Sequence, residues 1–355
     1  MGATFAAWLL ISSVQCCGAV EDPGRGGRLM RFEFEETHMA SPFHLVLYSN
    51  DATAARRASR AAFDRIEALN TVLSDYDPES ELSRLSESAG RGPVKVSADL
   101  FDVLERSKGI YGHSGGMFDV TIAPVGRLWR RARRDRKLPD LRLIAEARKL
   151  VGSDKMVLDP AARTVNLTVP GMKLDVGGIA KGYAAQAALD VLESLGFRRV
   201  LVGGAGDIVV GDPPPDAEGW KVAIVAVDPR SSYRPPTLLL KNAAVSTAGD
   251  AERFVVIDGH RYSHIVDPTT GMGHEDRAAV TVVAPDGGTA DALETAVYLL
   301  GPERGLKLVE ETPGAAALFQ RVTPEGVKTF ESSRFRRVPK SGVDGTAGAA
   351  DVSRP

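Results

Sequence analysis

Five short segments of this chain hold residue types and spacings that could do chemistry. In Ala290-Asp291-Ala292-Leu293-Glu294-Thr295 the pattern is helical, so Asp291 and Thr295, four apart, share a face. A carboxylate with a hydroxyl is hard-oxygen ligation, suited to Mg2+ rather than zinc. The same pair is also common on plain solvated helices. Leu174-Asp175-Val176-Gly177-Gly178-Ile179-Ala180-Lys181-Gly182-Tyr183 runs a glycine turn into a helix, which turns free N–H groups and one ammonium toward an anion. Ser114-Gly115-Gly116-Met117-Phe118-Asp119-Val120-Thr121 and Gly203-Gly204-Ala205-Gly206-Asp207 carry glycines that let a backbone approach a ligand, or simply turn the chain. The fifth, His264-Ile265-Val266-Asp267-Pro268-Thr269-Thr270-Gly271, sets an imidazole beside a strand end. There a histidine serves as a general base or as a hydrogen-bonded structural group.

Other signatures fail. No GxxxxGK[ST], HExxH or GxSxG is present, and Gly204-Ala205-Gly206 is followed by Val209 where a dinucleotide fingerprint needs glycine. Arg127 to Lys137 packs seven basic residues into eleven, with Trp129 the one aromatic among them. Such a run reads as a solvated helix or loop, with an anion or membrane-surface contact as the sharper alternative.

The elements that must position these segments are strands and helices in irregular alternation. Phe32 to Phe34 and His44 to Tyr48 look like strands, and Ala62, Ile66, Leu69 and Leu73 line one helical face that stops before Asp77-Pro78. Leu100, Val103, Leu104 and Ser107 mark a second helix with Ser97 as N-cap; Tyr183 to Leu195 is a third, closed by Gly196. Strand runs follow at 200–202, 208–210, 222–225, 243–246, 254–257 and 279–283. Helix is expected again at Thr289 to Leu300 and at Pro302 to Glu310. Sequential strands with short turns, broken by helices, predict an α+β fold with largely antiparallel sheets and packed helices.

The 355 residues are 43% hydrophobic and 25% charged, which excludes wholesale disorder. Lys and Arg total 44 against 46 Asp and Glu, a net charge of −2, so the chain lacks the basic excess of a nucleic-acid-coating protein. Cys16 and Cys17 are its two cysteines, which rules out a disulfide scaffold and a CxxC-based zinc site. Ala3 to Val14 is apolar and uncharged, too short to span a bilayer but the length of a signal-peptide core. Residues 1–19 are therefore expected to be a secretory signal cut after Ala19, or a lipoprotein signal that anchors Cys16 or Cys17 to the inner membrane. Against both stand the missing Lys/Arg at the start and Gln15 before Cys16. Residues 20–30 read as a linker, 31–337 as one catalytic domain and 338–355 as a disordered tail.

Taken in order, these segments form a set. Leu73-Ser74-Asp75-Tyr76 and Ser80-Glu81-Leu82-Ser83-Arg84-Leu85 precede Gly-Gly-Met-Phe-Asp-Val-Thr. The Leu-Asp-Val-Gly-Gly-Ile-Ala-Lys-Gly-Tyr-Ala block comes next, then Ser246-Thr247-Ala248-Gly249-Asp250, His-Ile-Val-Asp-Pro-Thr-Thr-Gly and Ala-Asp-Ala-Leu-Glu-Thr-Ala. The series resembles the ApbE family, the FAD:protein FMN transferases, from about Phe32 to Phe319.

That resemblance implies a T-fold-like domain that binds FAD and Mg2+. It implies an enzyme that moves the FMN half onto a Thr or Ser hydroxyl of an acceptor flavoprotein, such as a redox-pump subunit, and releases AMP. The acceptors of the family face the outside of the inner membrane, so an exported, periplasmic enzyme is expected. Met39 and Tyr76 match flavin-contacting positions, with Tyr76 stacking on the isoalloxazine. Met117, Phe118, Asp119, Asp175, Lys181 and Ile265 match further FAD contacts. Gly178, through its carbonyl, with Asp291, Thr295 and the adjacent Glu294, matches the metal site, and His264 matches the candidate base. FAD hydrolysis to FMN and AMP is the alternative activity, and simple flavin binding the non-enzymatic one. Three departures stand out. Ala40 replaces a glycine, and is expected to tighten the flavin pocket. Ala205 replaces another, and is expected to crowd a close-packed backbone. Glu294 replaces a small residue.

Overall fold

The computed structural model describes residues 20, 21, 28–249 and 254–341. The expected signal at 1–19 and the tail beyond 341 lie outside the described residues, as does Asp250. Nine strands form the main sheet: β1 (Val20–Glu21), β2 (Arg28–His38), β3 (Ser41–Ser49), β4 (Val200–Gly204), β5 (Asp207–Val210), β6 (Ala243–Gly249), β7 (Ala278–Ala284), β8 (Ala316–Thr323) and β9 (Gly326–Glu331). Their spatial order is their chain order, and every neighbouring pair is antiparallel. The expected α+β class with antiparallel pairing is what the chain adopts.

Among the described residues, seven helices are inserted between strands. Between β3 and β4 come α1 (Ala52–Leu73), α2 (Glu81–Glu87), α3 (Ala98–His113), α4 (Ala123–Asp135), α5 (Leu141–Arg148) and α6 (Ala180–Ser194); α7 (Gly287–Glu311) joins β7 to β8. Local signals set their ends. Asp51 accepts from the N–H groups of Thr53 and Ala54 at the start of α1, Ser97 accepts from Leu100 N–H at the start of α3, and Gly196 takes φ 89° just after α6. Gly301, at φ 73°, bends α7 before Pro302, so its two halves match the two helices expected.

Strand alternation divides the core in two. Phe43, Leu45, Leu47, Val202, Val209, Ala244, Val280 and Val282 face a large cluster made with α1, α3, α6 and α7. Val46, Leu201, Ile208, Val210, Val245 and Leu318 face the other way, onto Trp220, Leu238 and Phe335. A third cluster joins Val125, Trp129 and Ala132 of α4 to Val255, Ile257 and Tyr262 of the hairpin formed by Phe254–Ile257 and His260–Ser263. It fastens a basic helix to the segment that carries His264.

Two boundaries need correction. The expected linker at 20–30 ends inside β2, which starts at Arg28 and pairs with β1. The expected tail starts too early, because Leu239 N–H donates to the Pro339 carbonyl (2.8 Å) and Ser341 N–H to that of Thr237 (2.9 Å). These ladder bonds satisfy backbone groups of the strand at Thr237–Leu240, so residues 338–341 belong to the folded domain.

Helices α6 and α7 cross at bare backbone. A Cβ on Gly182 would lie 2.1 Å from the Gly287 carbonyl oxygen and 2.7 Å from Asp291 Cβ. Gly182→Ala should therefore destabilise the chain by about 1–3 kcal/mol through overpacking, despite a helix-propensity gain of about 1 kcal/mol. Thermal unfolding checks this; an unchanged or raised melting temperature would contradict the close crossing.

Candidate active site

At that crossing α7 delivers two buried acids. Asp291 is 1% exposed and Glu294 6%, and Asp207 at the head of β5 is 3% exposed. Asp207 lies on the helix-facing side of its strand, like Val209. Asp291 Oδ2 accepts the Gly182 N–H at 2.9 Å, in the first turn of α6. No side chain on α6 itself caps that helix, so a carboxylate from α7 fills the role and meets the positive end of the helix dipole. The N–H groups expected to face a bound anion are thus partly claimed by Asp291. Lys181 Nζ stands 3.9 Å from Asp291 Oδ2 and 3.7 Å from Asp207 Oδ2, and donates to the Gly177 carbonyl at 3.0 Å. Ser246 Oγ donates to Asp207 Oδ1 at 2.5 Å.

Burial is the main electrostatic fact here. It raises the Asp207 carboxyl to about 7, with the Asp291 charge adding to the rise and Lys181 opposing it. Burial also raises Asp291, against the pull of Lys181 and the Gly182 N–H, and lifts Glu294 well above the usual range with help from Asp291 and Asp207.

These residues suit a hard divalent cation. Thr295 Oγ1 donates to Glu294 Oε1 at 3.2 Å, while the buried Glu294 Oε2 has no hydrogen-bond partner. A buried carboxylate oxygen in that state calls for a counter-ion or a proton. A Cβ on Gly178 would meet Thr295 Oγ1 at 3.3 Å and Phe118 Cε2 at 3.3 Å, so the glycine turn lies directly against the hydroxyl. Among the described residues no three His, Cys, Asp or Glu side chains form a metal cluster by themselves. The available set is mixed, carboxylate and hydroxyl oxygens beside the backbone of the glycine turn, which suits Mg2+.

A second group adjoins the same glycine turn. Asp175 Oδ1 accepts the Gly177 N–H at 2.9 Å and its Oδ2 accepts from Arg130 Nη2 at 2.6 Å. Arg130 Nη2 is also 2.5 Å from Asp75 Oδ2, and its guanidinium carbon lies 4.4 Å from the Tyr76 ring centroid. Tyr76 itself is 77% exposed. Met117 and Phe118 are buried in the main core. The Asp119 carboxylate is taken up locally, accepting from Thr121 N–H and Oγ1 and from Ser153 N–H and Oγ. This segment braces the turn from behind.

Met39 and Ala40 form the two-residue turn between β2 and β3 at φ 48° and 57°, with Met39 packed on the main core. Primed hairpin turns need positive φ, which costs side-chain-bearing residues strain of about 1–3 kcal/mol each. Ala205, at φ 54°, does the same between β4 and β5. It is exposed, so its cost is backbone strain and not the crowding expected from the sequence.

His264 lies between two residues pinned to one partner: Ser263 N–H donates to the His274 carbonyl (2.8 Å), and His274 N–H to that of Ile265 (3.0 Å). Asp267 accepts from Thr269 and Thr270 to close the turn, and Trp129 Nε1 donates to the Gly271 carbonyl at 2.8 Å. Ile265 is buried in the main core.

The structure therefore brings Gly178, Lys181, Asp291, Glu294 and Thr295 together, with Asp175 and Tyr76 alongside. Asp207, Asp75 and Arg130 were not anticipated as members. A carboxylate opening the otherwise apolar strand Asp207-Ile208-Val209-Val210 was the available signal for the first. Nothing marks Arg130 within a run of arginines.

Comparison with known proteins places the chain in a family. The ApbE family model matches residues 39–319. A Treponema pallidum protein named FAD:protein FMN transferase is 32% identical over 85% of this chain and 88% of its own length. One of the same name from Vibrio cholerae is 30% identical over 85% and 92%. The solved structure of the Vibrio cholerae flavin transferase ApbE superposes with a TM-score of 0.79 at 28% identity, covering 87% of this chain and 99% of the other. The fold is that of the flavin-transferase class. The chain belongs to the ApbE family.

The buried acids carry a pH signature. The folded chain holds the Asp207 proton up to about 7, the unfolded chain only to the ordinary value of 3.8, so between those limits folding is weakened as pH rises. In chelator, the melting temperature should fall across this window, Asp207→Asn should flatten the fall, and Mg2+ should restore stability at neutral pH. A fall just as steep in Asp207→Asn would count against the burial of that charge.

Proposed function

We propose that this chain is an Mg2+-dependent FAD:protein FMN transferase. It breaks the diphosphate of FAD, joins the FMN phosphorus to a Thr or Ser hydroxyl oxygen of an acceptor flavoprotein, and releases AMP. The observation that carries this reading is the buried carboxylate pair on α7, with Thr295 packed against Gly178 and Asp291 against Gly182. Mere flavin binding does not need such a site, because holding a ring does not require neutralising a diphosphate.

Gly178 through its carbonyl, Asp291 and Thr295 would hold the cation, with the Glu294 carboxylate adjoining. Bound there, Mg2+ would offset the charge that builds on the diphosphate oxygens during cleavage. The chain's own residues do the remainder. Lys181 lies within the cluster and presents an ammonium to the same phosphates. Tyr76 offers its ring to the isoalloxazine, and Asp175 and Lys181 contact the nucleotide. His264 accepts the proton of the acceptor hydroxyl as its oxygen attacks, because an alcohol is a weak nucleophile near neutral pH. We place this reaction outside the cytoplasm, on an acceptor such as a redox-pump subunit at the outer face of the inner membrane, from the apolar stretch at Ala3 to Val14. Among the described residues no helix is long and apolar enough to cross a membrane.

Incubation with FAD, Mg2+ and a candidate acceptor should give a fluorescent acceptor band on a denaturing gel. Rapid free FMN and AMP with no labelled band would instead identify a hydrolase. Asp291→Ala should abolish labelling, and full activity in that variant would refute the metal assignment. His264→Ala should slow transfer by about 10² to 10⁴ with FAD binding retained, as single-turnover labelling at saturating FAD would show.

A further inference from the structure

Arg130 is a half-buried member of the α4 basic run. Its side chain is 26% exposed, while that of Arg134, four residues on, is 74% exposed. It meets three groups from two other parts of the chain: Asp75 and Tyr76 after α1, and Asp175 before α6. The pairing with Asp175 is a hydrogen bond at 2.6 Å, and the contact with Asp75 is an ion pair at 2.5 Å. The guanidinium then sits 4.4 Å from the Tyr76 ring centroid.

A tyrosine that is 77% exposed would ordinarily sample several rotamers. Its backbone N–H also donates to Ser74 Oγ at 3.3 Å. A flat cation already anchored by two carboxylates restrains one face of the ring, and the exposure leaves the other face open to a planar ligand. Arginine suits this task because its planar fork serves two acceptors and an aromatic face at once, which an ammonium cannot.

We infer that Arg130 is a positioning residue for flavin recognition: it ties Asp75 to Asp175 and presents Tyr76 as a preorganised stacking platform for the isoalloxazine ring. This rests on the transferase reading, whose substrate supplies the ring. It also accounts for an arginine drawn inward from a run that is mostly exposed. Preorganisation of this kind raises affinity by removing the ordering cost at binding.

The test compares the full chain with Arg130→Ala and Arg130→Lys by two measurements, after confirming cooperative unfolding of each. The first is hydrogen exchange at residues 74–77 without ligand. The second is FAD titration by quenching of flavin fluorescence, with ADP, which lacks the ring, as a competitor. Arg130→Ala should exchange faster at 74–77, bind FAD about 10-fold more weakly and quench less, while ADP affinity is unchanged. Arg130→Lys should recover only part of the FAD loss. Unchanged exchange in Arg130→Ala overturns the positioning role, and so does an equal loss for FAD and ADP. Faster exchange with undiminished FAD affinity overturns the platform. A wild-type chain that binds no FAD defeats the transferase reading and the platform with it. The ligand-free exchange would then still report whether Arg130 orders Tyr76.

Discussion

A carboxylate buried where two helices cross governs the arrangement around it. Asp291 on α7 caps the first turn of α6 through Gly182, and the crossing is close enough that neither Gly182 nor Gly287 tolerates a Cβ. A buried charge is costly unless it is paired and hydrogen-bonded. The helix terminus and Lys181 go part of the way to meeting that requirement, and the Glu294 carboxylate nearby works against it. Stability and chemistry are thus coupled at one point. The helix terminus and Lys181 make the fold tolerate Asp291, and the carboxylates gathered beside it, Asp207 and Glu294, make the position attractive to a divalent cation.

Helix α4 connects the remaining parts. Trp129 supports the turn after His264 through the Gly271 carbonyl, and the next residue, Arg130, reaches Asp75 and Asp175. Two consecutive residues on one helix therefore brace the proposed base segment and the proposed flavin contact. The third hydrophobic cluster holds this helix to the hairpin at Phe254–Ile257 and His260–Ser263. A rigid support outside the main core lets exposed segments keep a fixed relation to the buried acids.

Much of this was legible in the sequence, for identifiable reasons. Period-3.6 patterns with clear caps, as at Ser97 and Gly196, located the helices, and the order of the motif blocks pointed to Gly178, Asp291 and Thr295 before their contact was visible. Partners that meet only through tertiary packing were not legible. Asp207 reaches the cluster because β5 presents it to the helix face, and Arg130 is distinguished from its arginine neighbours only by which side of α4 packs inward. The chain ends of the domain were misjudged at Arg28 and Ser341 because ladder hydrogen bonds, which composition does not report, extend the order there.

The meander carries a kinetic implication. Seven of its eight connections are far shorter than the remaining one, between the neighbours β3 and β4, which are separated by residues 50–199. Closing that gap requires a long loop to be ordered first, and distant pairings form slowly. During synthesis the amino-terminal hairpin must therefore wait, one edge unsatisfied, until six helices have emerged and collapsed. Any machinery that handles the nascent chain meets an open strand edge at β3 for that whole interval.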